Sequence, residues 1–228
     1  MRKDIKLTKK QLQQIEAYLI KNDIEYIDLH LEVLDHISSD IENEMTINNS
    51  SFKEAFDKIR IKWSKTFSYK WTFWLGISNG GSKLFIDHCL KIYKPLWFKS
   101  ILGIIAFIAV FYGIVALFNI DLDANYQLFK STFLSMALFF PVLLVYWKYQ
   151  LKKIKLVSSY SYLYNKQIFP NIFISLLLIF QIFRSEKEIF SDFMFVYFTV
   201  FFLVLIMGYN FYKNHLNAVS NYKKYLLK

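Results

Sequence analysis

The residues best suited to chemistry lie in one short stretch: Asp28, Glu32, Asp35, His36 and Asp40. Glu32, His36 and Asp40 stand four residues apart, so on a helix they share a face. Carboxylate and imidazole at that spacing are donor types that hold a divalent metal. A zinc site, however, usually draws three or four ligands from more than one element, and no second histidine lies at a helpful spacing, since His30 points elsewhere. The row reads better as a solvated face with four-apart pairing, or as a surface on which another chain docks. The expectation is therefore no metal and no cofactor, with these five residues as a partner-docking face.

Nucleophilic chemistry has less support. The chain lacks a GxSxG elbow, a glycine-rich phosphate loop, HExxH and paired cysteines. Its single cysteine, Cys89, excludes an internal disulfide. His88 beside it is a sequence neighbour, and neighbours on a helix face different directions. His215 sits in a lysine-rich tail and reads as a solvated group. No enzyme is expected. An active site would have to lie in the loop 148–166, which holds Ser, Tyr and Lys but no acid or histidine.

Residues 1–66 must position the acidic row, and they read as three helices. Thr8 with Gln11, and Ser51 with Glu54, are capping boxes that start the first and third. Leu12, Ile15 and Leu19 follow helical spacing in the first, which Asn22-Asp23 ends. The second runs from about Glu25 to Met45, with Ile27, Leu31, Leu34, Ile41 and Met45 as its buried stripe. Phe52, Phe56, Ile59 and Trp63 form the apolar face of the third. Three helices in about 60 residues bury a marginal core, so the module calls for help from the membrane, a partner or a second copy.

Residues 67–99 read as a juxtamembrane connector. Trp71, Phe73 and Trp74 with Lys70 suit a bilayer interface, and Asn79-Gly80-Gly81 is a turn. Ser82 then caps a short helix ending before Pro95. Its apolar face is Leu84, Phe85, Cys89, Ile92 and Tyr93, and its charged side is Lys83, Asp87, Lys91 and Lys94. It is either an amphipathic helix on the cytoplasmic leaflet or an ordinary packed linker.

The rest is written for lipid. Hydrophobic residues make up 55% of the 228 and aromatics 20%. Four runs are long enough to span: Ser100–Phe118, about Ser131–Trp147, about Gln167–Phe183 and about Phe193–Tyr212. Pro170 falls near the start of the third, and Pro141 should kink the second. Trp97, Tyr126, Trp147, Tyr149, Tyr164 and Tyr212 cluster at the ends, where amphipathic rings prefer the interface. Gly103 with Ala106, and Gly113 with Ala116, put small residues on one side of the first span, for contact within the bundle or, less favoured, for a dimer face.

Basic residues set the orientation. Residues 1–99 hold 16 Lys and Arg, the loop Asn119–Tyr126 holds none, Lys148–Lys166 holds five and the tail from Lys213 holds four. The short loop near 184–192 carries Arg184 and Lys187 against Glu186, Glu188 and Asp192. Positive segments stay cytoplasmic, which places both termini there. The formal charge of +10 is thereby explained without nucleic acid. None of the four runs holds Asp, Glu, Lys, Arg or His, which argues against a proton-coupled transporter or a pump.

One resemblance adds to this. The run Tyr26–Ile37, with Ile41-Glu42 and then Phe52–Phe56, resembles an N-terminal helical module that precedes membrane helices in uncharacterised membrane proteins of Bacteroidota. It also looks like the short signalling or permease-prefix modules of other bacterial membrane proteins. Its core is the Glu-x-x-Asp-His pattern at Glu32, Asp35 and His36. Asn48-Asn49-Ser50 stands where such modules often have a glycine, and Trp63-Ser64 where they often close with Phe-Gly. The resemblance implies regulation or complex assembly rather than catalysis.

The expected fold is all-α: a three-helix cytoplasmic module at 1–66, an amphipathic connector at 67–99, a four-helix transmembrane bundle at 100–212 and a basic tail at 213–228. The expected protein is multi-pass, in a bacterial inner membrane. Its partners are the lipid bilayer and another protein or a second copy. The alternative is a transporter or channel component, with Ser135, Ser175, Gln181, Thr199 and Asn210 as the sparse pore-lining candidates.

Overall fold

The computed structural model describes residues 6–75, 80–121, 124–184 and 192–226. The expected charged loop near 184–192 falls largely outside them. Seven α-helices carry the described chain: α1 Lys9–Lys21, α2 Ile27–Asn48, α3 Phe52–Ser64, α4 Lys83–Leu117, α5 Tyr126–Lys153, α6 Ser159–Arg184 and α7 Asp192–Leu226. Two three-residue strands, β1 Tyr69–Trp71 and β2 Gly80–Ser82, pair antiparallel between α3 and α4.

Local signals set the helix starts. Thr8 and Ser51 each accept from the N–H three residues on, and Gln11 and Glu54 reach back to the cap N–H, so both capping boxes form. Left-handed residues follow three helix ends, Asp23 at φ 62° after α1, Asn49 at φ 50° after α2 and Asn119 at φ 44° after α4. Helix α2 has no side-chain cap at Tyr26. Its Ile27 N–H donates instead to the Val157 carbonyl at 3.0 Å, a partner far away in the chain.

The chain divides into two compact units. The first comprises Met1–Lys91, Leu156–Ser159 and His215–Lys228, and the second Ile92–Lys155 and Tyr160–Asn214. In the first, α1 buries Ile15 and Leu19, α2 buries Ile27, Leu29, Val33, Leu34, Ile37 and Ile41, and α3 buries Ala55 and Ile59. Phe85, Ile86 and Cys89 of α4 and Val219 of α7 are buried with them in the same unit. The extra apolar surface the three N-terminal helices call for is thus supplied by distant parts of the same chain. Leu31 and Met45 are only half-buried. Helix α2 is covered from more than one side, so its buried set is wider than the single stripe its periodicity suggests.

The connector departs from expectation in two ways. Gly80 and Gly81 are in a strand rather than a turn, in register with Trp71 and Lys70. The Tyr69 ring lies where a Cβ on Gly80 would stand, so a larger residue there would have to displace that exposed ring. The helix that Ser82 starts also does not stop before Pro95. It runs on as α4 through the first expected span. At 35 residues it is longer than the roughly 20 that a bilayer core needs. All three prolines lie inside helices, Pro95 in α4, Pro141 in α5 and Pro170 in α6. Each removes one N–H from the helix ladder without ending it. Pro170 is not near a helix start, because α6 begins at Ser159.

Lys83–Leu117, Tyr126–Lys153 and Ser159–Phe183 belong to helices long and apolar enough to cross a membrane, and most of each lies in the second unit. Their surfaces fit lipid contact. Leu102, Leu117, Val142, Phe169, Phe180 and Phe183 are all more than half exposed. Ala137 and Ile182 are buried against Phe133, Leu134, Met136 and Ile179. Among the described residues, the small residues of the first span do not make the expected bundle contact. Gly103, Ala106, Gly113 and Ala116 are exposed, and no described atom beyond the helix's own backbone lies within 4 Å of where a Cβ would stand on either glycine. Close approach falls instead to Gly208 of α7, where a Cβ would lie 3.0 Å from Leu144 Cδ2. Tyr126 and Tyr164 are buried, and the Tyr164 hydroxyl donates to the Leu144 carbonyl at 2.5 Å. Trp147 stacks on Tyr212.

Candidate functional site

The acidic row of α2 splits into three parts. At its C-terminal end, Asp40 accepts from Lys62 Nζ at 2.9 Å and from Trp63 Nε1 at 3.1 Å. It ties α2 to α3. Burial alone would raise its carboxyl, but the Lys62 and Trp63 hydrogen bonds outweigh that and hold it below the usual carboxylate range. In the middle, Glu32, Asp35 and His36 are exposed. Among the described residues, no group of three or more His, Cys, Asp or Glu is placed to hold a metal ion. With Asp40 turned to α3, the Glu32, His36, Asp40 row is not gathered into a ligand set. His30 turns away, its Nδ1 set 2.6 Å from the Ile24 carbonyl.

At the N-terminal end Asp28 is half-buried and is the centre of a polar cluster. Its Oδ1 accepts from the Ser159 N–H at 2.8 Å, and its Oδ2 lies 3.3 Å from His88 Nε2. Ser159 is the first residue of α6, so Asp28 places a carboxylate on that helix N-terminus, where the unsatisfied N–H groups and the helix dipole favour negative charge. Burial works against ionisation. The hydrogen bonds from His88 and Ser159 prevail and hold Asp28 below the ordinary carboxylate value, so it is charged at neutral pH.

Beside it, Ser158 Oγ and His215 Nδ1 are 2.8 Å apart, and both residues are fully buried. The expectation that His215 is a solvated tail group is overturned. Helix α7 is continuous to Leu226, and its C-terminal stretch from His215 belongs to the first unit. Burial lowers the His215 pKa, with the Asp28 charge opposing, so the ring is neutral at pH 7. His215 Nε2 and Ser159 Oγ are buried without a hydrogen-bond partner. Cys89 is buried in the same unit, and burial, with the Asp28 charge added, raises its thiol pKa.

The loop expected to lack an acid and a histidine therefore receives both, from elements far away in sequence. A serine hydroxyl on an imidazole is the contact a nucleophile makes with its base. Here the acid faces the other histidine, and Ser158 and His215 are closed to solvent. A substrate carbonyl has no approach to that hydroxyl in this conformation. The cluster acts as a polar lock joining α2, α4, the α5–α6 link and the end of α7. Asp28 stands out in the sequence, but Ser158 and Ser159 do not, and Ser159 gives no local hint of a carboxylate partner 131 positions away.

The connector shows a further surface. Tyr69 and Trp71 point to the exposed side of β1, while Lys70 on the opposite side pairs with Asp87. Phe73 is also exposed. The apolar face of the following helix stretch is not free for a leaflet, since Phe85, Ile86 and Cys89 are buried. No protein-family model matches this chain, and no curated protein or solved structure shows significant similarity to it.

Proposed function

We propose that this protein is a non-enzymatic component of a bacterial inner membrane that regulates, senses or assembles, binding a partner through Glu32, Asp35 and His36. In this reading four helices span, the fourth being the uncharged stretch of α7, and both termini are cytoplasmic. The carrying observation is the division of labour along α2. Asp28 and Asp40 are engaged within the chain, while the three residues between them are exposed. Exposed charge on a helix held at both ends is pre-ordered for docking. The resemblance to prefix modules, centred on the same three residues, supports it.

The transporter alternative has less support. Ser135, Ser175 and Asn210 donate to carbonyls of their own helices at Ser131, Asn171 and Ile206, which leaves little polar lining for a solute.

The test is copurification from native membranes in mild detergent. Wild type is compared with a triple variant, Glu32→Ala, Asp35→Ala and His36→Ala. A specific partner present with wild type and lost from a folded triple variant is the expected result. A partner retained by the triple variant, or none with either chain, overturns the docking face.

A further inference from the structure

The second unit contains a cavity of about 390 Å³ between α4, α5 and α7. Its wall is almost wholly hydrocarbon and aromatic, built from residues such as Ile104, Phe111, Phe133, Met136 and Phe202. It includes two hydroxyls, of Thr132 and Thr199. Thr132 spends its own on the Leu128 carbonyl of the same helix. Among the described residues, no charged one lines the space. Gly103, Phe107 and Thr132 are both wall residues and exposed, so the cavity is continuous with the outer, apolar surface of α4 and α5. Gly103 keeps that rim open, with no described atom beyond the helix's own backbone within 4 Å of a Cβ position.

A void of this size is hard to leave empty, because the cost of a cavity grows with its volume. Water does not relieve it, since a water molecule needs two to four polar partners and this wall offers almost none. What borders the rim, if these helices lie in a membrane, is lipid. We propose that the cavity is a tail pocket, holding one hydrocarbon chain of a membrane lipid that enters beside Gly103. This rests on the membrane-spanning reading above. The apolar wall favours a hydrocarbon chain and offers a polar headgroup little beyond two threonine hydroxyls. The tail could belong to a phospholipid or to a free fatty acid.

The full chain is reconstituted into phosphatidylglycerol nanodiscs, with a photoactivatable diazirine on the acyl chain of the phospholipid in one arm and on a free fatty acid in the other. Labelled residues are mapped by mass spectrometry. The expected result is insertion at Phe133 and Met136, which are partly buried and so poorly reached by surrounding lipid. Whichever arm labels them identifies the source of the tail. Gly103→Phe fills the rim and should cut that labelling roughly tenfold, about what losing two buried methylenes amounts to. Gly103→Leu, the milder change, should give a smaller drop and covers the case in which the Phe variant does not fold.

The outward face of α6 at Phe169, Phe173 and Phe180 is the internal control, exposed and far in sequence from the pocket lining. If α6 is labelled while Phe133 and Met136 are not, or if their labelling is unchanged in both Gly103 variants, the tail pocket is wrong and the membrane reading stands. If α6 is not labelled either, the membrane reading itself falls.

Discussion

The carboxylate of Asp28 caps a helix that begins 131 residues later, accepting the Ser159 N–H at 2.8 Å. Replacing Asp28 with Ala leaves that N–H and the His88 imidazole without their acceptor in a half-buried site. Hydrogen bonds to a charged group are worth about 1.5–3 kcal/mol each, and buried orphaned donors add to the loss. Asp28→Ala should destabilise the first unit by about 2–4 kcal/mol. Glu32→Ala, on the exposed middle of the same helix, should change it by no more than about 0.5 kcal/mol. Thermal unfolding of the detergent-solubilised chain, followed by circular dichroism, compares the two. Equal effects would show that Asp28 is no more than another surface acid.

How much of this is readable in the sequence depends on distance along the chain. Both capping boxes are, because Thr8 with Gln11 and Ser51 with Glu54 hold donor and acceptor within three residues. So are the long apolar helices, because length and composition alone announce them. Asp28 and His36 look alike in sequence, two polar residues on one helix. Only the fold tells that one meets the start of α6 and the other meets solvent. His215 is the clearest case, since lysines around it suggest a wet tail while α7 turns its ring into the core. The β1–β2 pairing was hidden by Gly80 and Gly81, whose usual meaning is a turn.

The polar lock should weaken in acid in two steps. His215 has a folded pKa below its ordinary 6.5, so as pH falls past that value the unfolded chain takes up a proton that the folded chain refuses. Its contribution is complete above 6.5 and is lost on the way down to the folded pKa. Asp28 also has a lowered pKa, from an ordinary 3.8, so its contribution is present above that value and disappears below it. Unfolding midpoints measured between neutral pH and about pH 3 should therefore fall first just below 6.5 and again below about 4. In His215→Gln, which keeps a hydrogen-bonding group for Ser158, the first decline should vanish and the second remain. An unchanged first decline would assign it to another group.

Gly208 predicts how tightly α7 packs in the second unit. A Cβ there already lies 3.0 Å from Leu144 Cδ2 and 3.7 Å from Tyr164 Cε2. Gly208→Ala asks for a few tenths of an ångström from a leucine methyl and should be nearly neutral, the more so because alanine favours helix. Gly208→Ile cannot be absorbed so easily and should cost about 1–3 kcal/mol. Gly113→Ile, at an open exposed position, should be close to neutral in the same unfolding measurement. A tolerant Gly208 and an intolerant Gly113 would reverse the assignment of the packed face.

Cys89 offers a direct readout of whether the first unit is closed. The side chain is fully buried, and burial, reinforced by the Asp28 charge, raises its thiol pKa, so little thiolate is present at neutral pH. The native chain should react with a maleimide only at the rate at which the unit opens, and completely once denatured. Opening exposes the thiol, so the labelling rate follows the free energy of that opening. Asp28→Ala should accelerate labelling by roughly tenfold for each 1.4 kcal/mol it removes. The triple Glu32→Ala, Asp35→Ala, His36→Ala variant should label at the wild-type rate, because those side chains do not hold the unit shut. If that triple variant labels as fast as Asp28→Ala, the exposed row is part of the lock, and loss of a partner from it would report unfolding rather than docking.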